Sequence, residues 1–372
     1  MRVKIGILAQ QAVELAPVLL LALISLVEFA MAIFPPTVQP AANPNATFPA
    51  KRAVVLPVIL SAYTTIDHGT SHLLSVSNIA REWGSYGLMG HVFPSTGKLP
   101  VIGHMIIPEP EKLLTVHPDA LFVHKQQSDV LRKMGMPGLV EVNFMPRDVR
   151  KSRVGLWRLI GKATDNGPRV MQLLRWDAAQ RANLQSLLGE VKGSPRPRVL
   201  LVHAGRGQWS VPGGYYAMGS NVEEAGGINM AAHFKLSGPI NLEQILALDP
   251  DILLLDPNVM MSPYSSSYDT APDDIYNMPA CRLLRAVKNR RVYQLPQHSY
   301  TNEAIDDPLI LSWMAEVFYP DQMPHRLRGV YRAAYRDNYG YCLADDEIDQ
   351  TLFLKENSHS AGYQRFSREQ EQ

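Results

Sequence analysis

Two thirteen-residue stretches of the chain carry the same order of polar and apolar positions. Glu111–Val123 reads EKLLTVHPDALFV and Glu243–Leu255 reads EQILALDPDILLL. Leu113, Leu114 and Val116, and likewise Ile245, Leu246 and Leu248, fall at helical spacing, and the proline that follows cannot continue a helix. The short apolar runs after each Pro-Asp have the character of a strand buried on both faces of a parallel sheet. Each copy therefore predicts helix, Pro-Asp turn, buried strand, and the shared register marks an internal repeat. The surroundings match as well. Ala53–Leu60 and Arg198–His203 predict buried strands upstream. Downstream, Ser128–Met134 and Ala280–Val287 predict helices, followed by strands at Leu139–Val142 and Val292–Leu295. Strands alternating with helices make two α/β lobes, over 51–163 and 197–356, with mainly parallel sheets.

Between them, Gly167–Val191 keeps largely helical apolar spacing, with no Gly or Pro from Arg169 to Leu188. This predicts one long rigid interdomain helix within 164–192. Residues 357–372 are mostly polar and read as a tail.

The N-terminus has a different pattern. Ala16–Val27 is apolar, Arg2 and Lys4 precede it, and Ala30-Met31-Ala32 follows as a small-x-small cleavage site. That is the layout of a secretory signal peptide over 1–32; an uncleaved anchor is the alternative. No cysteine adjoins the cleavage point, which argues against a lipoprotein. Residues 33–50 carry five prolines between Phe34 and Ala50 and read as an extended linker.

Composition narrows the function classes. The 372 residues are 46% hydrophobic and 19% charged, which is globular, and a single apolar stretch excludes a polytopic transporter. Lys and Arg total 36 against 35 Asp and Glu, so the chain lacks the basic excess of a nucleic-acid binder. Cys281 and Cys342 cannot build a four-thiolate zinc site; after export they form either a disulfide or two free thiols. Gly155–Lys162 has the wrong spacing for a phosphate loop, with Ala163 where Ser or Thr is needed, and neither H-E-x-x-H nor G-x-S-x-G occurs.

The candidate chemistry sits after the predicted strands, where α/β sheets bind ligands. His124 follows the strand of the first repeat. Tyr63 follows Ala53–Leu60. Ala204–Met218 reads as one glycine-rich loop offering Arg206, Trp209, Tyr215 and Tyr216. Tyr264 and Tyr268 follow the second repeat, and His298 and Tyr300 follow the last strand. Arg pairs with carboxylate or catecholate oxygens, and aromatic rings cover planar or apolar ligands. His68 and His72 would share a helix face and could bind a metal, but Gly69 between them weakens that helix. Surface or structural histidines are the default reading, and no metal site is assigned.

The chain resembles the periplasmic substrate-binding proteins of ABC importers for ferric siderophores, haem and cobalamin. The resemblance runs from about Arg52 to Leu354. It rests on Pro108–Asp119, on Asn241–Asp251, on the Gly-Gly turn Glu224–Asn229, on Arg291-Val292-Tyr293 and on the long interlobe helix. It implies a ligand cleft between two lobes, little closure on binding, and no catalysis or bound cofactor. The ligand it implies is a small-molecule metal chelate, a ferric siderophore first, with haem or cobalamin as alternatives. It also implies a periplasmic location and, as partners, a membrane permease with its ATPase, docked through Glu111 and Glu243, one on each lobe. A chelate-processing enzyme on the same scaffold is the alternative from another class.

Overall fold

In both copies of the repeat the helix stops two residues before the proline, and the apolar run becomes an interior strand. The computed structural model describes residues 46–56, 59–85, 87–103, 110–142, 149–191, 193–205, 208–212, 217–234, 238–256, 270–297 and 306–370.

The first lobe has strands β1 (Ala53–Val54), β2 (Leu73–Ser75), β3 (Ala120–His124) and β4 (Leu139–Val142), all parallel in the order β2-β1-β3-β4. Its helices are α1 (Leu60–Asp67), α2 (Asn78–Gly84), α3 (Gly87–Val92), α4 (Pro110–Val116), α5 (Lys125–Lys133) and α6 (Val149–Ala163). The strand expected over Ala53–Leu60 is cut to two residues, and Leu60 opens α1 instead. Pro57 has no N–H to give a sheet ladder, and a continuous apolar run does not distinguish a strand from a buried helix.

Helix α7 (Gly167–Glu190) has 24 residues and so spans roughly 36 Å. The second lobe follows, with β5 (Arg198–Gly205), β6 (Gln208–Val211), β7 (Ile228–Asn229), β8 (Gly238–Pro239), β9 (Ile252–Leu255) and β10 (Val292–Gln294). Its helices are α8 (Ala217–Glu224), α9 (Leu242–Leu248), α10 (Pro272–Asn277), α11 (Arg285–Lys288), α12 (Asp306–Phe318), α13 (Leu327–Tyr339) and α14 (Asp345–Thr351). The strand order is β10-β9-β5-β6-β8, with β7 also beside β5. Strands β10, β9, β5 and β7 are parallel; β6 and β8 add antiparallel pairings.

The two sheets share a core. Ala53, Ala120, Phe122, Val140 and Val142 on one face of the first sheet, and Val199, Leu201, Ile252, Leu254 and Tyr293 on one face of the second, belong to a single buried cluster. Trp157 and Ile160 of α6, Leu173 and Leu184 of α7, and Trp313 and Phe318 of α12 fill the space between. The alternate residues face away. Val54, Leu121, Val123 and Leu139 pack under Leu113 and Leu131, and Leu200, Val202, Leu253 and Leu255 form the outer core of the second lobe. This period-two division of continuous apolar strands is what covering a sheet on both faces requires. The lobes are therefore welded through buried apolar side chains, each worth about 1.5–3 kcal/mol.

The repeat also has a physical reason for its aspartate. The Asp119 carboxylate accepts the Lys51 backbone N–H at 3.0 Å, just before β1, and Asp251 accepts that of Arg198 at 2.8 Å, at the start of β5. Arg52 and Arg198 in turn donate to the last-turn carbonyls of Val116 and Leu248, at 2.5 and 2.6 Å. His117 and Asp249, one residue before each proline, both take positive φ, at 47° and 38°. The Gly-Gly turn is equally specific. Gly226 has φ of 91°, and a Cβ on Gly227 would meet the Phe318 ring at 2.8 Å.

Two expectations about the ends change. The final part of the proline-rich segment belongs to the first lobe, because Ala50 is buried and donates to the Ala163 carbonyl at 2.7 Å. The supposed polar tail from 357 is part of the second lobe. Asn357, Ser360, Tyr363 and Phe366 are buried. Asn357 completes the free edge of β10, accepting the Gln294 N–H at 2.8 Å and donating to its carbonyl at 3.0 Å. Residues 1–32 lie outside the described residues.

Candidate functional site

Strands of parallel sheets point their carboxyl ends the same way, and ligands of α/β proteins bind there. In the first lobe Ala120, Phe122 and His124 share the inner face of β3 by alternation. In the second, Val199, Leu201 and His203 share that of β5, and Asp256 follows Ile252 and Leu254 on that of β9. Histidines from both lobes thus stand at the carboxyl end of the faces that meet in the shared core.

His124 is partly exposed. Burial pushes its imidazole down to about 4, against an opposing hydrogen bond that the ring donates to the Val142 backbone. It is neutral at physiological pH, the form that accepts a hydrogen bond or meets a metal centre. His203 Nδ1 lies 3.5 Å from Asp256 Oδ2, with only 17% and 4% of the two side chains exposed. At that distance the pair is an electrostatic contact and not a hydrogen bond. In the sequence His203 stands only as the last residue of the predicted strand Arg198–His203. The available signal was its place at the end of the apolar run RVLLVH, the same signal that singled out His124.

Two of the expected contacts are corrected. Tyr63 lies in helix α1, not in a loop, and its ring is wholly buried, edge-on to Phe122 at 5.8 Å. Burial raises its phenol well above the ordinary range, and its Oη has no hydrogen-bond partner among the described residues. It is a core residue. Trp209 is on β6, in the hairpin with β5, and its side chain packs in the outer core of the second lobe. The expected long loop 204–218 is therefore interrupted by a strand, which Gln208-Trp209-Ser210-Val211 supports by its alternation.

Arg206, Tyr215, Tyr216, Tyr264, Tyr268, His298 and Tyr300 lie outside the described residues. Glu111 and Glu243 occupy matching positions in the first turns of α4 and α9 and are exposed. His68 ends α1 in the left-handed conformation, and His72 pairs with Asp67 at 2.7 Å, so the two do not share a helix face. Among the described residues no group of three His, Cys, Asp or Glu side chains could hold a metal ion. Both cysteines are free thiols, Cys281 buried and Cys342 exposed. No helix among the described residues is long and apolar enough to cross a membrane.

Known proteins share this fold. A periplasmic solute-binding protein from Veillonella parvula superposes with a TM-score of 0.68 at 21% identity, covering 83% of this chain and 93% of that one. The molybdate-binding protein MolA from Haemophilus influenzae, bound to molybdate, gives 0.65 at 19% identity over 82% and 96%. CeuE from Helicobacter pylori, in a nickel–histidine complex, gives 0.60 at 16% identity over 84% and 99%. No protein of curated function matches the chain. The periplasmic binding protein model matches residues 90–298, which take in both repeats, the long helix and the last strand, and the chain belongs to that family.

Proposed function

We propose that this chain captures a metal chelate, a ferric siderophore first, in the periplasm and delivers it unchanged to an ABC importer of the inner membrane. The observation that carries the reading is the pair of imidazoles, His124 and His203, at the carboxyl ends of the two inner sheet faces. A chelate bound there meets one lobe on each side. The Arg and Tyr residues of the neighbouring segments, Arg206, Tyr215 and Tyr300, suit an anionic, oxygen-rich and partly apolar ligand. Two of the similar proteins hold a metal oxyanion and a nickel–histidine complex, which supports metal-containing cargo as the class. Export rests on the N-terminal signal pattern. Delivery to a permease and its ATPase would use Glu111 and Glu243, which present a carboxylate at the same position of each repeat.

The test is intrinsic tryptophan fluorescence titrated with ferric hydroxamates, ferric catecholates, haem, cobalamin and molybdate. One class is expected to quench at one molecule per chain and to be recovered unaltered. His124→Gln and His203→Gln are each expected to weaken that ligand by about tenfold, or 1.4 kcal/mol. Failure of every ligand to bind, or chemical conversion of the bound one, would overturn the reading.

A further inference from the structure

Between the helices α6, α7 and α12 lies a buried group of charges that none of the foregoing uses. Arg153 of α6, Asp177 and Arg181 of α7, and Asp307 of α12 are each no more than 7% exposed at the side chain. Arg153 Nη1 lies 2.7 Å from Asp307 Oδ2, a direct ion pair between a first-lobe helix and a second-lobe helix. Arg153 Nη2 is 3.4 Å from Asp177 Oδ1. Arg181 holds both oxygens of Asp177 through Nε, at 3.2 and 3.1 Å, and reaches Asp307 Oδ2 with Nη2. Its Nη1 lies 2.5 Å from Glu224 Oε2 at the end of α8. Asn221 of α8 donates to the other oxygen of Asp307 at 2.6 Å. Burial alone would raise the Asp307 carboxyl, but the two guanidiniums outweigh it and hold it below the ordinary range.

The hydrophobic effect is non-directional. Forked guanidinium–carboxylate pairs are directional, and a buried one that loses its partner is heavily penalised. The cluster therefore adds to the shared core a directional restraint on the angle between the lobes. Its helices also have a common relation to the candidate site. In the chain α6 follows β4 through residues 143–148, α8 follows β6 through residues that include Tyr215, and α12 follows β10 through residues that include Tyr300.

We propose that Arg153, Asp177, Arg181 and Asp307 are positioning residues that fix the orientation of one lobe against the other and so set the width of the ligand cleft. The proposal rests on the reading of the chain as a two-lobed binder, but its test needs no ligand, so the two can fail separately. Spin labels are placed at Val130→Cys and Leu283→Cys, exposed positions on different lobes, with Cys342→Ser removing the exposed thiol. Pulsed dipolar spectroscopy reads the distance between them. The parent should give one narrow distribution. Asp307→Asn should lose it and show a broad or second distribution while remaining folded by circular dichroism. Should that variant not fold, Arg153→Lys keeps the charge, removes the fork and is expected to broaden the distribution too. A folded variant of lower melting temperature whose distribution superimposes on the parent's would show a merely stabilising cluster and overturn the proposal.

Discussion

Trp209 shows how a residue's role follows from its surroundings and not its type. In a loop it would be free to stack on a ligand. On β6 its backbone oxygen accepts the Ile240 N–H at 2.9 Å, and its ring fills the outer core of the second lobe. Trp209→Ala is expected to cost about 3–5 kcal/mol, measured by denaturant unfolding, with ligand affinity in the folded fraction unchanged. Glu316 is a second residue with a readable consequence. Burial pushes its carboxyl up to about 7, although Arg365 Nε lies 3.3 Å away. A carboxyl raised in the folded state contributes stability that is fully present below about 4.5 and is lost as the pH rises through about 7. Glu316→Gln should therefore flatten the melting-temperature profile between those pH values, a change visible by differential scanning calorimetry. His124 carries the opposite sign: its depressed imidazole contributes stability above about 6.5 that is lost as the pH falls through about 4.

At the scale of elements, the repeat was the most legible part of the chain, because proline punctuation and apolar period speak to local structure alone. Its helices, its strands and the long α7 stand where the pattern puts them, to within a few residues. What the pattern left out is the clamp in which Asp119 takes the Lys51 N–H while Arg52 reaches the Val116 carbonyl, and Asp251 takes the Arg198 N–H while the Arg198 side chain reaches the Leu248 carbonyl, since each tie spans fifty residues or more. Asp251→Asn keeps the shape and removes the charge that accepts the Arg198 N–H and pairs with Arg285 at 2.8 Å. A loss of about 1–3 kcal/mol is expected, checked by chemical denaturation, with Asp119→Asn giving a similar loss in the first lobe. The segment after 357 was illegible for the converse reason. Its polar side chains serve backbone groups of β10, which an apolar period cannot register, and they protect an edge strand that would otherwise be open to pairing. The candidate site was read in part. His124 stands at the carboxyl end of β3, where the strand pattern puts it, whereas Tyr63 and Trp209 were assigned to loops because β1 is shorter, and β6 longer, than apolar runs alone suggest.

For the whole molecule the shared core matters most. A binder whose lobes swing together announces its cargo by changing shape. Here the inner faces of both sheets are already joined through Trp157, Leu173, Leu184 and Trp313. Loaded and empty molecules would then present nearly the same outline, including the same separation of Glu111 and Glu243. If a permease grips those two carboxylates, it meets empty molecules as readily as full ones, and the empty ones act as competitive inhibitors of uptake. Import would slow, not saturate, when the binding protein is made in excess of its cargo, so the cell's output of this chain would itself set the rate.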